Sequence, residues 1–141
     1  MNKGSKNFDA WNIVKQATDI SISEIKIREG EIRWCKFGIN IGNEIVGKGD
    51  HFKRPVLILK KYSGQVFLGL PVTSTIRDTD WYYKITHEDI DRCVILNQGR
   101  TLDSKRLEEK IFEMNEGELL KIKEAYCKLI MSAPPTQKAT P

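Results

Sequence analysis

The stretch that decides the fold runs from Arg54 to Ser74 and reads RPVLILKKYSGQVFLGLPVTS. Its first apolar run, Val56–Leu59, has no polar alternation, so the strand it forms is buried on both faces. Pro55 has no N–H to give to a ladder and belongs at the start of that strand. Ser63-Gly64 reads as a two-residue hairpin turn, with glycine taking the left-handed position. Gln65–Thr73 then returns antiparallel. With the turn placed there, Arg54 faces Thr73 across the hairpin. An arginine and the Thr73-Ser74 hydroxyl pair therefore stand together at one open end of the sheet.

The segments around this hairpin fill out the architecture. Upstream, Ile39–Lys53 is long for a connection and contains Gly42, Gly47 and Gly49, with Gly38 at its mouth; loops of that length usually carry function. Glu31–Phe37 reads as the strand before it. Residues 7–19 set Phe8, Trp11 and Val14 three apart, the spacing of an amphipathic helix. The ISISEIKI run after it is either extended or a frayed continuation of that helix. Downstream, Asp80–Thr86 and Arg92–Gln98 are strands by their β-branched and aromatic content. Asp103 or Ser104 is placed to cap a short helix reaching Lys110. Asn115 with Glu118 has the spacing of a capping box and opens a helix to Ile130. Leu119, Ile122, Tyr126 and Leu129, joined by Leu120 and Ile130, form its apolar face.

The expectation is a mainly β chain with flanking helices, built as a small antiparallel barrel of five or six strands. It divides into a partly helical extension over 1–28, the barrel domain over 29–131, and a disordered tail over 132–141, which has no bulky apolar side chain to bury.

Composition narrows the function. The 141 residues are 40% apolar and 30% charged, which suits one globular domain and excludes both a disordered tail and a membrane protein. No apolar run approaches the roughly 20 residues that span a bilayer. The N-terminus lacks the apolar stretch of a secretory signal, so a cytoplasmic location is expected. Cys35, Cys93 and Cys127 are odd in number and lack C-x-x-C spacing, against both a disulfide framework and a zinc ribbon; all three are expected to be small buried hydrophobes. The net charge is +4, but Lys36–Arg77 holds seven basic residues against two acidic ones. That local excess either attracts phosphate groups or solubilises strand edges.

No Cys, His, Asp or Glu cluster has metal-ligand spacing, so no metal and no cofactor is expected. The G-N-E-I-V-G-K-G run (42–49) ends in neither G-K-S nor G-K-T, and no G-x-S-x-G elbow is present. What remains is metal-free chemistry by arginine and the Ser and Thr hydroxyls, with or without His51. Such a set suits RNA cleavage, because RNA supplies its own nucleophile in the 2′-OH. The protein then needs only a cation for the charge developing at phosphorus, and a proton donor or acceptor nearby.

Three segments in order, GEIRW…GNE (30–34 and 42–44), KRPVLIL…LPVTS (53–59 and 70–74) and VILNQGRTLDSKRL (94–107), resemble the MazF/PemK family of toxin endoribonucleases from toxin–antitoxin pairs. The Asn115–Ile130 helix fits that family's C-terminal helix. The resemblance implies an SH3-like barrel that forms a homodimer and cuts single-stranded RNA without metal, leaving a 2′,3′-cyclic phosphate and a 5′-hydroxyl. It makes Arg54 the catalytic arginine and Thr73 the catalytic hydroxyl, with Ser74 beside it. Glu44 matches a loop acid, Gln98 and Arg100 a Gln-x-Arg near the RNA groove or the dimer interface, and Lys53 falls next to the catalytic arginine. A cognate antitoxin is implied, blocking the groove with a segment that folds on binding. The chain departs from the family at Ile45, where a Gln usually stands, and at Asn97, which is acidic in some relatives. His51 is the nearby side chain suited to exchanging protons near neutral pH. Trp81, with Tyr82 and Tyr83, either stacks on unpaired bases or fills a core or interface. The rival reading on the same barrel is a non-catalytic module: a binding poison of DNA gyrase, or a degenerate binder of RNA or antitoxin.

Overall fold

The computed structural model describes residues 5–135. Its elements are α1 (Phe8–Asp19), β1 (Glu31–Lys36), β2 (Lys53–Lys61), β3 (Val66–Thr73), β4 (Tyr82–His87), β5 (Ile90–Ile95), β6 (Arg100–Asp103), β7 (Leu107–Glu113) and α2 (Glu116–Met131), with short 3-10 turns at Leu96–Gln98 and Ser104–Arg106. The strands form one antiparallel sheet in the order β4-β5-β3-β2-β1-β7, with β6 also on β3. β3 is thus shared: Val66–Gly69 pairs with β6, while Val72 and Thr73 pair with β5. The sheet curls without a closing ladder. Its two end strands meet through side chains instead, with the His87 ring of β4 stacked on Phe112 of β7 at 4.0 Å.

β2 is central because both of its faces are apolar. Leu57 and Leu59 enter a core with Leu70, Val72, Val94 and the α2 residues Leu119 and Ile122. Val56 and Ile58 enter a second core with Cys35, Phe37, Phe67 and Leu102. Side chains alternate along a strand, so the unbroken VLIL run feeds two cores at once.

The hairpin differs from expectation in an instructive way. Tyr62 pairs with Val66 (N···O 2.9 Å), which makes the turn Ser63-Gly64-Gln65. Ser63 Oγ accepts from the Gln65 and Val66 amides, so a side chain shapes the turn and Gly64 stays outside the left-handed region. The longer turn shifts the pairing by one residue. A bulge at Leu59 shifts it back, so that Val56 faces Pro71 and Leu57 faces Leu70. Carried two residues further, that register sets Arg54 opposite Thr73.

Other expectations are corrected. The segment after Ser104 is a single 3-10 turn capped by Asp103 and then the strand β7, not a helix to Lys110. Pairing with β1 decides this, since a sheet edge needing a partner overrides weak helix propensity. β5 ends at Ile95 rather than Gln98. With β6 and β7 the strands number seven rather than five or six. In ISISEIKI, Ile20 is the C-cap of α1 and the rest forms neither helix nor ladder, with Ile25 and Ile27 reaching the second core. Both helices are N-capped by asparagine: Asn7 Oδ1 accepts from Ala10 N and Asn115 Oδ1 from Glu118 N. Phe8, Leu120 and Ile130 point outward, and α1 instead buries Trp11 and Thr18. Cys35 and Cys93 are buried, but Cys127 is exposed. Ser132–Pro135 are exposed; the rest of the expected tail lies outside the described residues. No helix among the described residues is long and apolar enough to cross a membrane.

Burial pushes the Cys35 thiol from 9.0 up to about 12. The unfolded thiol ionises first, so the unfolded state binds fewer protons than the native state above its own pKa and stability falls as pH rises. Urea midpoints measured from pH 8 to 11 should show wild type losing stability faster than Cys35→Ala over that range. Parallel curves would contradict the burial of this thiol.

Candidate nucleic-acid groove and its loop

The Gly-rich segment between β1 and β2 is pinned at its base by backbone pairing. Phe52 O accepts from both Phe37 N and Gly38 N, Gly47 N donates to Gly38 O at 2.7 Å, and Lys48 and Lys53 exchange two hydrogen bonds. Gly47 is required here, because a Cβ would lie 1.8 Å from Phe52 O. Phe52 itself is held in the left-handed region at φ 56°, a conformation that costs a non-glycine residue about 1–3 kcal/mol and persists only where the surroundings enforce it.

Arg54 leaves this base into an open groove of about 650 Å3, shared with Thr73, Ser74, Trp34, Lys48, Arg92 and Glu109. Only 7% of Arg54 is exposed. Its Nε donates to Val46 O at 2.8 Å and its Nη1 to Val72 O at 3.4 Å. No carboxylate among the described residues pairs with it. Burial lowers its pKa, with only the Tyr82 hydroxyl opposing, and the group remains a cation at neutral pH because arginine starts so high. A buried cation held only by neutral carbonyls lacks the counter-ion that normally offsets desolvation. Arg92 is only half-buried, but its Nη1 is buried without a hydrogen-bond partner and its guanidinium lies 5.7 Å over the Phe112 ring. Thr73 Oγ1 accepts from Thr75 N, which orients the hydroxyl at the strand end.

The other expected residues separate. Lys53 lines the groove but is ion-paired with Glu108. Glu44, Gln98 and Arg100 line a different cleft of about 330 Å3, together with Ile45 and Asn97. There Glu44 accepts from Ile41 N, and the Gln98 amide clamps the loop tip by accepting from Ile45 N and donating to Asn43 O. Arg100 stacks 5.0 Å over Phe37 and donates to its carbonyl. Departures at Ile45 and Asn97 therefore fall in this cleft and not beside Arg54. His51 is exposed in the turn before β2, and Trp81 is exposed ahead of β4; neither lines the groove. No group of three or more His, Cys, Asp or Glu side chains among the described residues could hold a metal ion.

The model of the PemK-like, MazF-like toxins of type II toxin–antitoxin systems matches residues 28–130, most of the chain. The chain belongs to that family. A MazF crystal structure from Deinococcus radiodurans superposes with a TM-score of 0.62 at 21% identity, covering 77% of this chain and 100% of that one. The toxin MazF-mt6 from Mycobacterium tuberculosis gives 0.52 at 16% identity, covering 74% and 99%. These similarities establish the MazF-like fold. No curated protein sequence matches the chain. Residues 1–27 fall outside the toxin-family match.

Sequence reasoning missed Trp34, Arg92 and Glu109. Trp34 sits in register with Pro55 on the neighbouring strand, and Arg92 lies beside Cys93, the ladder partner of Thr73. Each reaches the groove through strand pairing at a distance, which no local motif announces.

The clamp at the loop tip predicts a local effect. In Gln98→Ala, amide exchange at Ile45 should rise about tenfold, while Gly47 and Lys48 at the loop base keep wild-type rates. Uniform acceleration through the loop would contradict a tip-specific clamp.

Proposed function

We propose that this toxin is a metal-independent, sequence-selective endoribonuclease that cuts single-stranded RNA in the Arg54 groove. The observation that carries the reading is Arg54 itself, a buried cation with no paired carboxylate among the described residues, sharing its groove with two hydroxyls and with Arg92, whose Nη1 has no partner. A scissile phosphate supplies the missing anion. The two arginines hold its non-bridging oxygens and neutralise the charge that grows as the phosphorus becomes five-coordinate. Glu109, the one carboxylate lining the groove, takes the proton from the 2′-OH. O2′ then bonds to phosphorus, the P–O5′ bond breaks, and O5′ takes a proton relayed from solvent through Thr73 and Ser74. The products are a 2′,3′-cyclic phosphate and a 5′-hydroxyl. Trp34 offers a face on which an unpaired base next to the cut stacks.

Residues 29–131 form the toxin domain in this reading, acting as a homodimer in the cytoplasm. The cleft of Glu44, Gln98 and Arg100 contacts flanking nucleotides. A cognate antitoxin occupies the groove with a segment that folds on binding and brings the acidic groups Arg54 and Arg92 lack.

The test is cleavage of a long single-stranded RNA in EDTA, with the product ends mapped. Wild type should give discrete cuts with cyclic-phosphate ends. Arg54→Ala and Arg92→Ala should each lose about 10²–10³-fold in rate, and Glu109→Gln about 10²-fold. His51→Ala should stay within about twofold, as for a surface residue away from the chemistry. No cutting by folded wild type at concentrations matching the RNA would overturn the enzyme and leave a binding module, whether gyrase poison or RNA and antitoxin binder.

A further inference from the structure

The N-terminal helix lies outside the part of the chain matched by the toxin family, yet it is built onto the loop that holds Arg54. Trp11 is 7% exposed and its indole lies against Gly38, where a Cβ would come within 2.4 Å of the ring. Its other neighbours are Phe52, edge-on at 5.7 Å, and the Arg106 guanidinium at 5.8 Å. Arg106 in turn donates to the carbonyls of Lys36 and Phe37. Five residues before Trp11, Lys6 Nζ reaches the loop and donates to Asn40 O at 2.6 Å and Gly42 O at 3.2 Å. At the other end of the helix, Lys105 Nζ donates to Asp19 O. The extension thus touches the loop at both mouth residues, Gly38 and Phe52, and along its first limb.

A short path joins those contacts to the groove. Gly38 O accepts from Gly47 N, and Val46, the residue before Gly47, offers the carbonyl that holds Arg54 Nε. Moving Gly38 therefore moves the shorter of the two carbonyl anchors of the guanidinium. We propose that α1, which precedes the family match, is a brace and that Trp11 is a positioning residue, fixing Gly38 and Phe52 so that the Val46 carbonyl aims Arg54 into the groove.

The brace rests on the ribonuclease reading for its catalytic consequence but not for its structural one, so two readouts are needed on the full chain. The first is amide exchange at Gly47, Lys48 and Phe52, against Leu57, Ile58 and Leu70 as sheet controls. In Trp11→Ala the loop amides should exchange at least about tenfold faster with the sheet amides unchanged. Lys6→Ala, which touches no core residue, should give the same selective loosening at smaller size. The second readout is steady-state cleavage of single-stranded RNA. Trp11→Ala should lower kcat about tenfold and leave KM within about twofold, because a misaimed Arg54 loses more of its hold on the charge that grows in the transition state than on the singly charged ground-state phosphate. Trp11→Phe, which keeps a ring over Gly38, should recover most of kcat.

Wild-type loop exchange in folded Trp11→Ala would overturn the brace, as would equal acceleration of loop and sheet. A loosened loop with unchanged kcat would overturn the positioning role. Should Trp11→Ala fail to fold, Lys6→Ala decides: selective loosening supports the brace, and wild-type exchange overturns it. A wild type that never cuts RNA sinks the ribonuclease reading and with it the positioning role, while the exchange data still decide whether α1 braces the loop.

Discussion

The Arg54 guanidinium is buried and positively charged, and what holds it are the neutral carbonyls of Val46 and Val72. Each carbonyl belongs to a different piece of the fold. Val72 arrives through the β2–β3 register, and Val46 through a loop that must fold back onto the base of the same strand. The sheet and the loop are therefore both conditions for one side chain's position. Desolvation of the charge is offset in part by these two carbonyls and by the groove that Arg54 lines.

β2 makes this arrangement stiff. Its four central residues feed two cores, so the strand is fixed on both faces and Arg54, two residues before Val56, leaves a rigid element rather than a loop. Packing of that density does not deform continuously, and small losses of alignment at such a site are costly for chemistry that depends on geometry. The register that brings Thr73 opposite Arg54 depends on a turn and a bulge that cancel. Removing either one alone would move Thr73 to the other face of the sheet, since side chains alternate along a strand.

Residues of the loop line two separate clefts. On one side the loop offers Val46 to Arg54; on the other its tip is clamped by Gln98 above a second cleft. The loop separates two surfaces that a linear reading would merge into one list of polar residues. Lys53 illustrates the point, since it lies beside Arg54 in sequence but is neutralised by Glu108 of β7.

Much of this was written in local sequence. The unbroken VLIL run, the proline before it and the asparagine caps follow from hydrogen bonding and burial within a few residues, so the central hairpin and both helices are legible without a structure. That Arg54 and Thr73 share one groove was legible too, although the turn that suggested it is one residue longer and Leu59 bulges to compensate. Local sequence failed where a distant partner decides. β7 is a strand because β1 needs a neighbour, and Cys127 is exposed because it falls on the outer side of α2. Trp34, Arg92 and Glu109 join the groove only because β1, β5 and β7 are folded around it. The sequence by itself determined which segments are strands or helices wherever periodicity and capping are strong, and which arginine starts the central strand. The tertiary structure alone decided which charges stay unpaired, which loop carbonyl holds Arg54 and where α1 docks, because strand pairing and desolvation act between residues that are neighbours in space and far apart in the chain.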